Sequence, residues 1–143
     1  RPNLYLSEYF NRNKNTYVER MEGIRFHGEW EAWLSFFIEG IARQARESVE
    51  RTLALADLRR EYEDEYGGKS YTKNQLAVTL FEQPYVTSKT VQRLFDVKQP
   101  TASRAINELV DEGVLEEVPR HGRNKEYRAR KIFEILEQPP QKY

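Results

Sequence analysis

The segment KQPTASRAINELVDEGVLEEVPRHGRNKEYRA, Lys98 to Ala129, constrains the fold more than any other part of the chain. Ala102, Ala105, Ile106, Leu109 and Val110 recur at helical spacing and share one face. Pro100 stands in the first turn of this helix, where its missing N–H costs nothing, and Gly113 closes the other end. VLEEV, PRHGRN and KEYRA then follow as strand, turn and strand, with Gly122 at the tip. A helix feeding directly into a hairpin leaves few architectures open.

The residues before this segment narrow the choice. TKNQ fits a capping box of Thr72 with Gln75, opening a helix with Leu76, Leu80 and Phe81 inward and Pro84 at its end. YV is a candidate for a short extended piece. Thr87 or Ser88 caps a second helix with Val91, Leu94 and Phe95 inward. The turn DVKQ leads into the Pro100 helix, and KIFEIL forms a last helix after the hairpin, with EQPPQKY as a tail. Three helices, a β-hairpin and a C-terminal helix in this order make a winged helix-turn-helix.

The third helix has a polarised outer face. Its N-terminal half offers Thr101, Ser103, Arg104 and Asn107, and its C-terminal half is acidic, with Glu108 and Asp111. A recognition helix places its N-terminal residues in the major groove, so this order suits DNA. Gln99 is a poor N-cap, which leaves its amide for a base or phosphate. Arg120, His121, Arg123 and Lys125 cluster around the wing's glycine turn, within reach of phosphates or a minor groove. The candidate DNA-binding set is therefore Gln99, Thr101, Ser103, Arg104, Asn107, Arg120, Arg123 and Lys125. A winged helix also serves as a protein-recruitment or dimerisation module, and the acids Glu108, Asp111, Glu116 and Glu117 weigh toward that alternative.

Net charge is decided by distribution. The chain holds 23 basic and 23 acidic residues, so the whole favours no partner. Between residues 118 and 133, however, six cations face Glu126 alone, a local basic footprint. With no cysteine, disulfides, Cys-based metal sites and thiol nucleophiles are excluded. The chain lacks an apolar run long enough to span a bilayer and a signal-peptide pattern, which fits a cytoplasmic protein without a membrane partner. Starting abruptly on RPNLYLSEYF without a methionine, it is expected to be a fragment of something longer.

The first half has a different character. Ser7 can cap a short helix carrying Tyr9 and Phe10, and NTYVERMEGIR places Tyr17, Val18, Met21 and Ile24 at helical spacing until Gly28. From Glu29 to about Tyr66, apolar residues recur at three- and four-residue steps: Trp30, Trp33, Leu34, Phe37, Ile38, Ile41, Ala45, Val49, Leu53, Ala56 and Tyr62. This predicts one long helix with a continuous buried stripe and a break or bend near TLALADL. Its exposed part, RREYEDEY, reads as a solvated face. Glu29 and Glu31 beside Trp30 favour a helix N-terminus rather than an acid–base pair. The glycine pair in YEDEYGGKS ends it. The expected organisation is a helical region over 1–66, a linker over 67–71 and the winged helix over 72–143, mainly α throughout.

LYLSEYFNRNKNTYVERMEGIRFHGEWEAWLSFFIEGIARQA, Leu4 to Ala45, resembles the segment that follows the catalytic loop in Fic-family proteins. Those enzymes transfer AMP from ATP to a protein hydroxyl, and several carry a C-terminal winged helix. The resemblance implies a parent adenylyltransferase that uses ATP and magnesium, with a protein AMP acceptor. The family's His-Pro-Phe-x-Asp-Gly-Asn-Gly-Arg signature is absent here: His27 and His121 sit in FHGE and RHGR, which do not match it, and there is no P-loop. This chain alone is thus expected to be inactive, with no catalytic residue, metal site or cofactor of its own. The resemblance would bring Tyr5, Tyr9 and Phe10 toward the nucleotide side, although aromatics at that spacing are far more often core. SFFIEG, Ser35 to Gly40, matches the family's loose inhibitory pattern, but Glu39 lies among Phe36, Phe37, Ile38 and Ile41 in the scaffold segment and the match is read as chance. The expected partners are double-stranded DNA for the winged helix, an acceptor protein for the parent, and a second copy of the chain through the Trp30/Trp33/Phe37 stripe.

Overall fold

The computed structural model describes residues 6–119 and 125–137. The order of elements is α1 (Leu6–Arg12), α2 (Lys14–His27), α3 (Trp30–Tyr66), α4 (Thr72–Thr79), β1 (Tyr85–Thr87), α5 (Ser88–Phe95), α6 (Gln99–Asp111), β2 (Leu115–Val118), β3 (Glu126–Ala129) and α7 (Arg130–Leu136). Helices dominate, and the sheet is small and antiparallel, in the order β1-β3-β2. This is a long helix followed by a winged helix, the mainly α class that the sequence pattern predicts.

The chain divides into two compact units, Arg1–Leu53 and Ala54–Tyr143. The division falls inside α3, whereas the linker was expected at 67–71. Its physical reason is that Leu58, Tyr62 and Tyr66, all on the last turns of α3, belong to the core of the second unit. The glycines at 67 and 68 are accordingly a turn within that unit, with Gly68 in the left-handed region at φ +69°.

In the first unit, α2 ends on Gly28, whose left-handed backbone (φ 68°) lets its N–H close on the carbonyls of Gly23 and Ile24. The core is aromatic. Tyr9 and Phe36 are buried, their ring centroids 5.1 Å apart, and Phe10, Tyr17, Trp33 and Phe37 pack around them. A methyl group at Gly40 would come within 2.5 Å of the Tyr9 ring, so only glycine admits this approach. Ser7 lies inside the first turn of α1.

The apolar stripe of α3 corrects the expectation. Trp30, Leu34, Ile38, Ile41, Val49, Leu53 and Ala56 are exposed, and the buried row is Phe36, Gly40 and Gln44. These stand four apart on a neighbouring face, the one that meets Tyr9. On α2, Val18 and Met21 are likewise exposed. Nor does α3 break near TLALADL: it continues as one helix of 37 residues, with the Thr52 hydroxyl donating to the Ser48 carbonyl at 2.7 Å.

The second unit is built around Leu76, Leu80, Val86, Val91, Ile106, Leu109 and Leu115, all essentially without solvent access. The Tyr71 carbonyl accepts from the N–H groups of Asn74 and Gln75. Tyr71, rather than Thr72, is therefore the N-cap of α4, and no side chain caps it. The helix stops at Thr79, a turn before Pro84. Thr87 does cap α5, accepting from the Thr90 N–H at 3.2 Å. Leu94, expected inward, is 41% exposed, while Val91 and Phe95 do pack on the core. The tight turn into α6 is made by Asp96 in the left-handed region, φ 49°. Tyr85–Thr87 pairs with β3 as a third strand, and the Ala129 N–H donates to the Pro84 carbonyl at 2.8 Å. The hairpin register sets Leu115 opposite Ala129 and Val118 opposite Glu126.

Candidate nucleic-acid interface

Helix α6 buries Ala102, Ala105, Ile106 and Leu109, as its periodicity requires. That phase turns Gln99, Thr101, Arg104 and Asn107 to solvent and leaves Ser103 half-buried on the flank. Lys98 is the N-cap and makes no side-chain cap bond, so Gln99 is the first helical residue rather than the cap. The Lys98 carbonyl accepts from Thr101 and Ala102 N–H groups at 3.1 Å. Lys125 immediately precedes β3, and Arg120 and Arg123 lie outside the described residues.

The structure brings four of the candidate residues into one place. A cleft of 370 Å³ lies along one flank of α6, where Gln99, Ser103 and Asn107 face Lys125 and Tyr127 of the wing. Its floor is the start of α5, Thr87, Ser88 and Lys89. Thr101 and Arg104 are not part of it. They line a second cleft, of 430 Å³, on the opposite flank, beside Tyr71, Thr72 and Asn74 of α4. Thr87 and Ser88 entered the sequence pattern only as caps, and Lys89 and Tyr127 not at all. A Thr-Ser-Lys run at the start of the helix that precedes α6 is the signal that points to them.

Charge pairing is where folding changes the picture most. Three of the six cations in the basic footprint of residues 118–133 are matched by carboxylates, and Arg120 and Arg123 lie outside the described residues. Lys125 meets Glu117 at 2.9 Å, Arg128 meets Glu116 at 2.6 Å and Glu137 at 3.1 Å, and Arg130 meets Glu134 at 2.9 Å. The hydrogen bonds to Glu117, Glu116 and Glu134 raise the pKa of each cation. By contrast, Lys89, Lys98 and Arg104 form no ion pair among the described residues. All three are exposed, around the N-terminal half of α6. Two acids at the other end of α6, Glu108 and Glu112, are occupied, while Asp111 forms no ion pair among the described residues. Lys73 binds Glu112 at 2.6 Å and lies 4.0 Å from Glu108, and the Tyr66 hydroxyl donates to Glu112 at 2.7 Å. Burial acts against ionisation of Glu112, but the bonds from Lys73 and Tyr66 outweigh it and hold the carboxyl below its ordinary range.

A family model described as "Protein adenylyltransferase SoFic-like, C-terminal domain" matches residues 55–132, more than half of the chain. The chain belongs to this family. The match begins where the second compact unit begins, at the last turns of α3, and runs through the wing into α7. In family terms, the SoFic-like C-terminal domain here is the winged helix together with the end of the long helix that feeds it.

No cluster of three His, Cys, Asp or Glu side chains arranged to hold a metal occurs among the described residues. Glu39, in the SFFIEG match, forms a surface pair with Arg43 at 2.6 Å. None of the described helices is long and apolar enough to cross a membrane.

Proposed function

We propose that the winged helix of this SoFic-like domain binds double-stranded DNA, with α6 in the major groove and the wing beside it. The observation that carries this is the distribution of uncommitted charge. Lys89, Lys98 and Arg104 have no carboxylate partner among the described residues and surround a helix end bearing Gln99, Thr101, Ser103 and Asn107. Ion pairs already satisfied within the protein add little to a phosphate contact, whereas unpaired exposed cations release counterions from the duplex. Arg104 and Asn107 are the residue types suited to paired hydrogen bonds with guanine and adenine respectively. The parent protein, in this account, transfers AMP from ATP to a protein hydroxyl, and this domain delivers that activity to DNA or to proteins assembled on it.

Titration of fluorescent duplexes with the full 143-residue chain tests the proposal. Arg104→Ala is expected to weaken binding by roughly tenfold and to relax selection of one base, since a paired arginine–guanine contact is worth about 1–3 kcal/mol. Arg123→Ala is expected to weaken binding without changing selection. Titrations that stay flat at low salt would dispose of the idea.

One observation favours a second reading, in which the module recruits or joins proteins. Trp30, Leu34, Ile38, Ile41, Val49 and Leu53 form an exposed apolar row on α3, and rows of that kind mark protein contacts. Light scattering of the chain separates the two: a clean monomer counts against self-association through this row.

A further inference from the structure

Helix α6 carries its acids at the end that suits them least. Glu108 and Asp111 stand in its last turn, Glu112 is its C-cap, and no basic residue accompanies them there. The C-terminus is the negative end of the helix dipole, so each carboxylate opposes it. The backbone at this end is also the start of the wing. The Glu112 N–H donates to the Glu108 carbonyl at 3.0 Å and the Val114 N–H to the Leu109 carbonyl at 2.8 Å. Between them Gly113, at φ +73°, turns the chain toward β2. An acidic helix end frays unless something outside the helix holds it.

Two other helices hold this one. The Tyr66 hydroxyl, on the last turn of α3, donates to Glu112 Oε2 at 2.7 Å. Lys73 Nζ, on α4, donates to Oε1 at 2.6 Å. Each carboxylate oxygen is therefore engaged by a different element. An exposed ion pair alone would contribute little. The tyrosine changes that, because its ring is fixed. Tyr66 is only 4% exposed and packs edge-on against Tyr62, centroids 5.6 Å apart, within the core. Lys73 Nζ stands 5.9 Å from the centroid of the same ring. The hydroxyl cannot swing away without disturbing that core.

We infer that Tyr66, Lys73 and Glu112 are positioning residues for DNA recognition, clamping the C-terminal end of α6 to α3 and α4 and so fixing the angle at which its N-terminal half enters the major groove. None of the three touches DNA. From Glu112 back to Gln99 is about 20 Å at 1.5 Å per residue, so a tilt of about 10° at the clamped end moves Gln99 by about 3 Å. That is the length of a hydrogen bond, enough to lose a base contact. The clamp also holds the turn from which β2 begins, so helix and wing keep one spacing. The inference rests on the DNA reading proposed above.

The test turns on sign. Glu112→Gln removes a carboxylate and frees Lys73, so charge alone predicts tighter binding to a duplex. The clamp predicts weaker binding. The full chain is titrated with a duplex that it selects from a random pool and with a scrambled duplex, well below the melting temperature of every variant. Glu112→Gln and Tyr66→Phe should each weaken binding to the selected duplex by about fivefold and leave the scrambled one nearly unchanged. The double variant should lose less than the product of the two, because both changes break one bond. Without DNA, Tyr66→Phe should speed hydrogen exchange at the amides of Glu112 and Val114 and leave α5 at its wild-type rates. Circular dichroism checks the fold, and Tyr66→Phe carries the test if Glu112→Gln unfolds. Equal or tighter binding by both variants, equal losses on both duplexes, or unchanged exchange at Glu112 and Val114 would overturn the inference while leaving the DNA reading standing. Failure of the wild-type chain to select any duplex would overturn both.

Discussion

Lys73 decides the electrostatics of the second unit at the scale of single residues. By holding Glu112 and approaching Glu108, it withdraws two carboxylates from the field around α6. The same contacts couple stability to pH. Glu112 is held below the ordinary carboxylate range, so its contribution is present above the unfolded value and is lost as pH falls through the folded one. Tyr66 is raised, first by burial and then by its bond to Glu112. Its contribution is present below the ordinary 10.0 and is lost as pH rises above it. Thermal melts across pH should therefore show stability falling in acid and again above about pH 10, and Glu112→Gln should flatten the acid limb. An unchanged acid limb would show that Glu112 is not the group responsible. None of this was legible in the sequence, because Lys73 and Glu112 are 39 positions apart and only the packing of α4 against α6 joins them. The same holds for the wing, where Glu116 and Glu117 were counted against DNA binding and turn out to be partners of Arg128 and Lys125.

Elements were easier to read than their surroundings. Periodicity gave the buried face of α6, and the order of glycine and alternating residues gave the hairpin, because both depend on neighbours within a few positions. The stripe of α3 misled for the opposite reason. Spacing identifies an apolar face, but what packs against a helix is a tertiary matter, and here α1 meets the row of Phe36 and Gly40 instead. The Tyr9–Gly40 approach gives a direct check. Gly40→Ala should destabilise the first unit by about 1–3 kcal/mol, since overpacking must displace the Tyr9 ring or part the helices. Denaturant unfolding followed by tryptophan fluorescence reads this through Trp33, which packs in the same cluster. A midpoint equal to wild type would mean that the ring moves aside without cost. Among the candidate residues, the outward placement of Gln99, Thr101, Ser103, Arg104 and Asn107 was legible because a helical wheel suffices to show it. Lys89 and Tyr127 were not legible, because the cleft that they line forms only when α5 and the wing close around α6.

The whole molecule joins two units through one continuous helix, and each uses that helix differently. In the first unit α3 supplies an aromatic seam for α1, and in the second its last turns, Leu58, Tyr62 and Tyr66, complete the winged-helix core. The SoFic-like match runs from the end of α3 into α7, which places the winged helix in the domain that the family defines. The central claim is the proposal that this winged helix engages DNA through cations that the protein leaves unpaired. Its most direct test is the salt dependence of duplex affinity for the full chain. The unpaired cations around α6 predict a clearly negative slope of log affinity against log salt, and Lys89→Ala or Lys98→Ala should each reduce its magnitude by about one. A slope near zero, or one that neither substitution changes, would contradict the account.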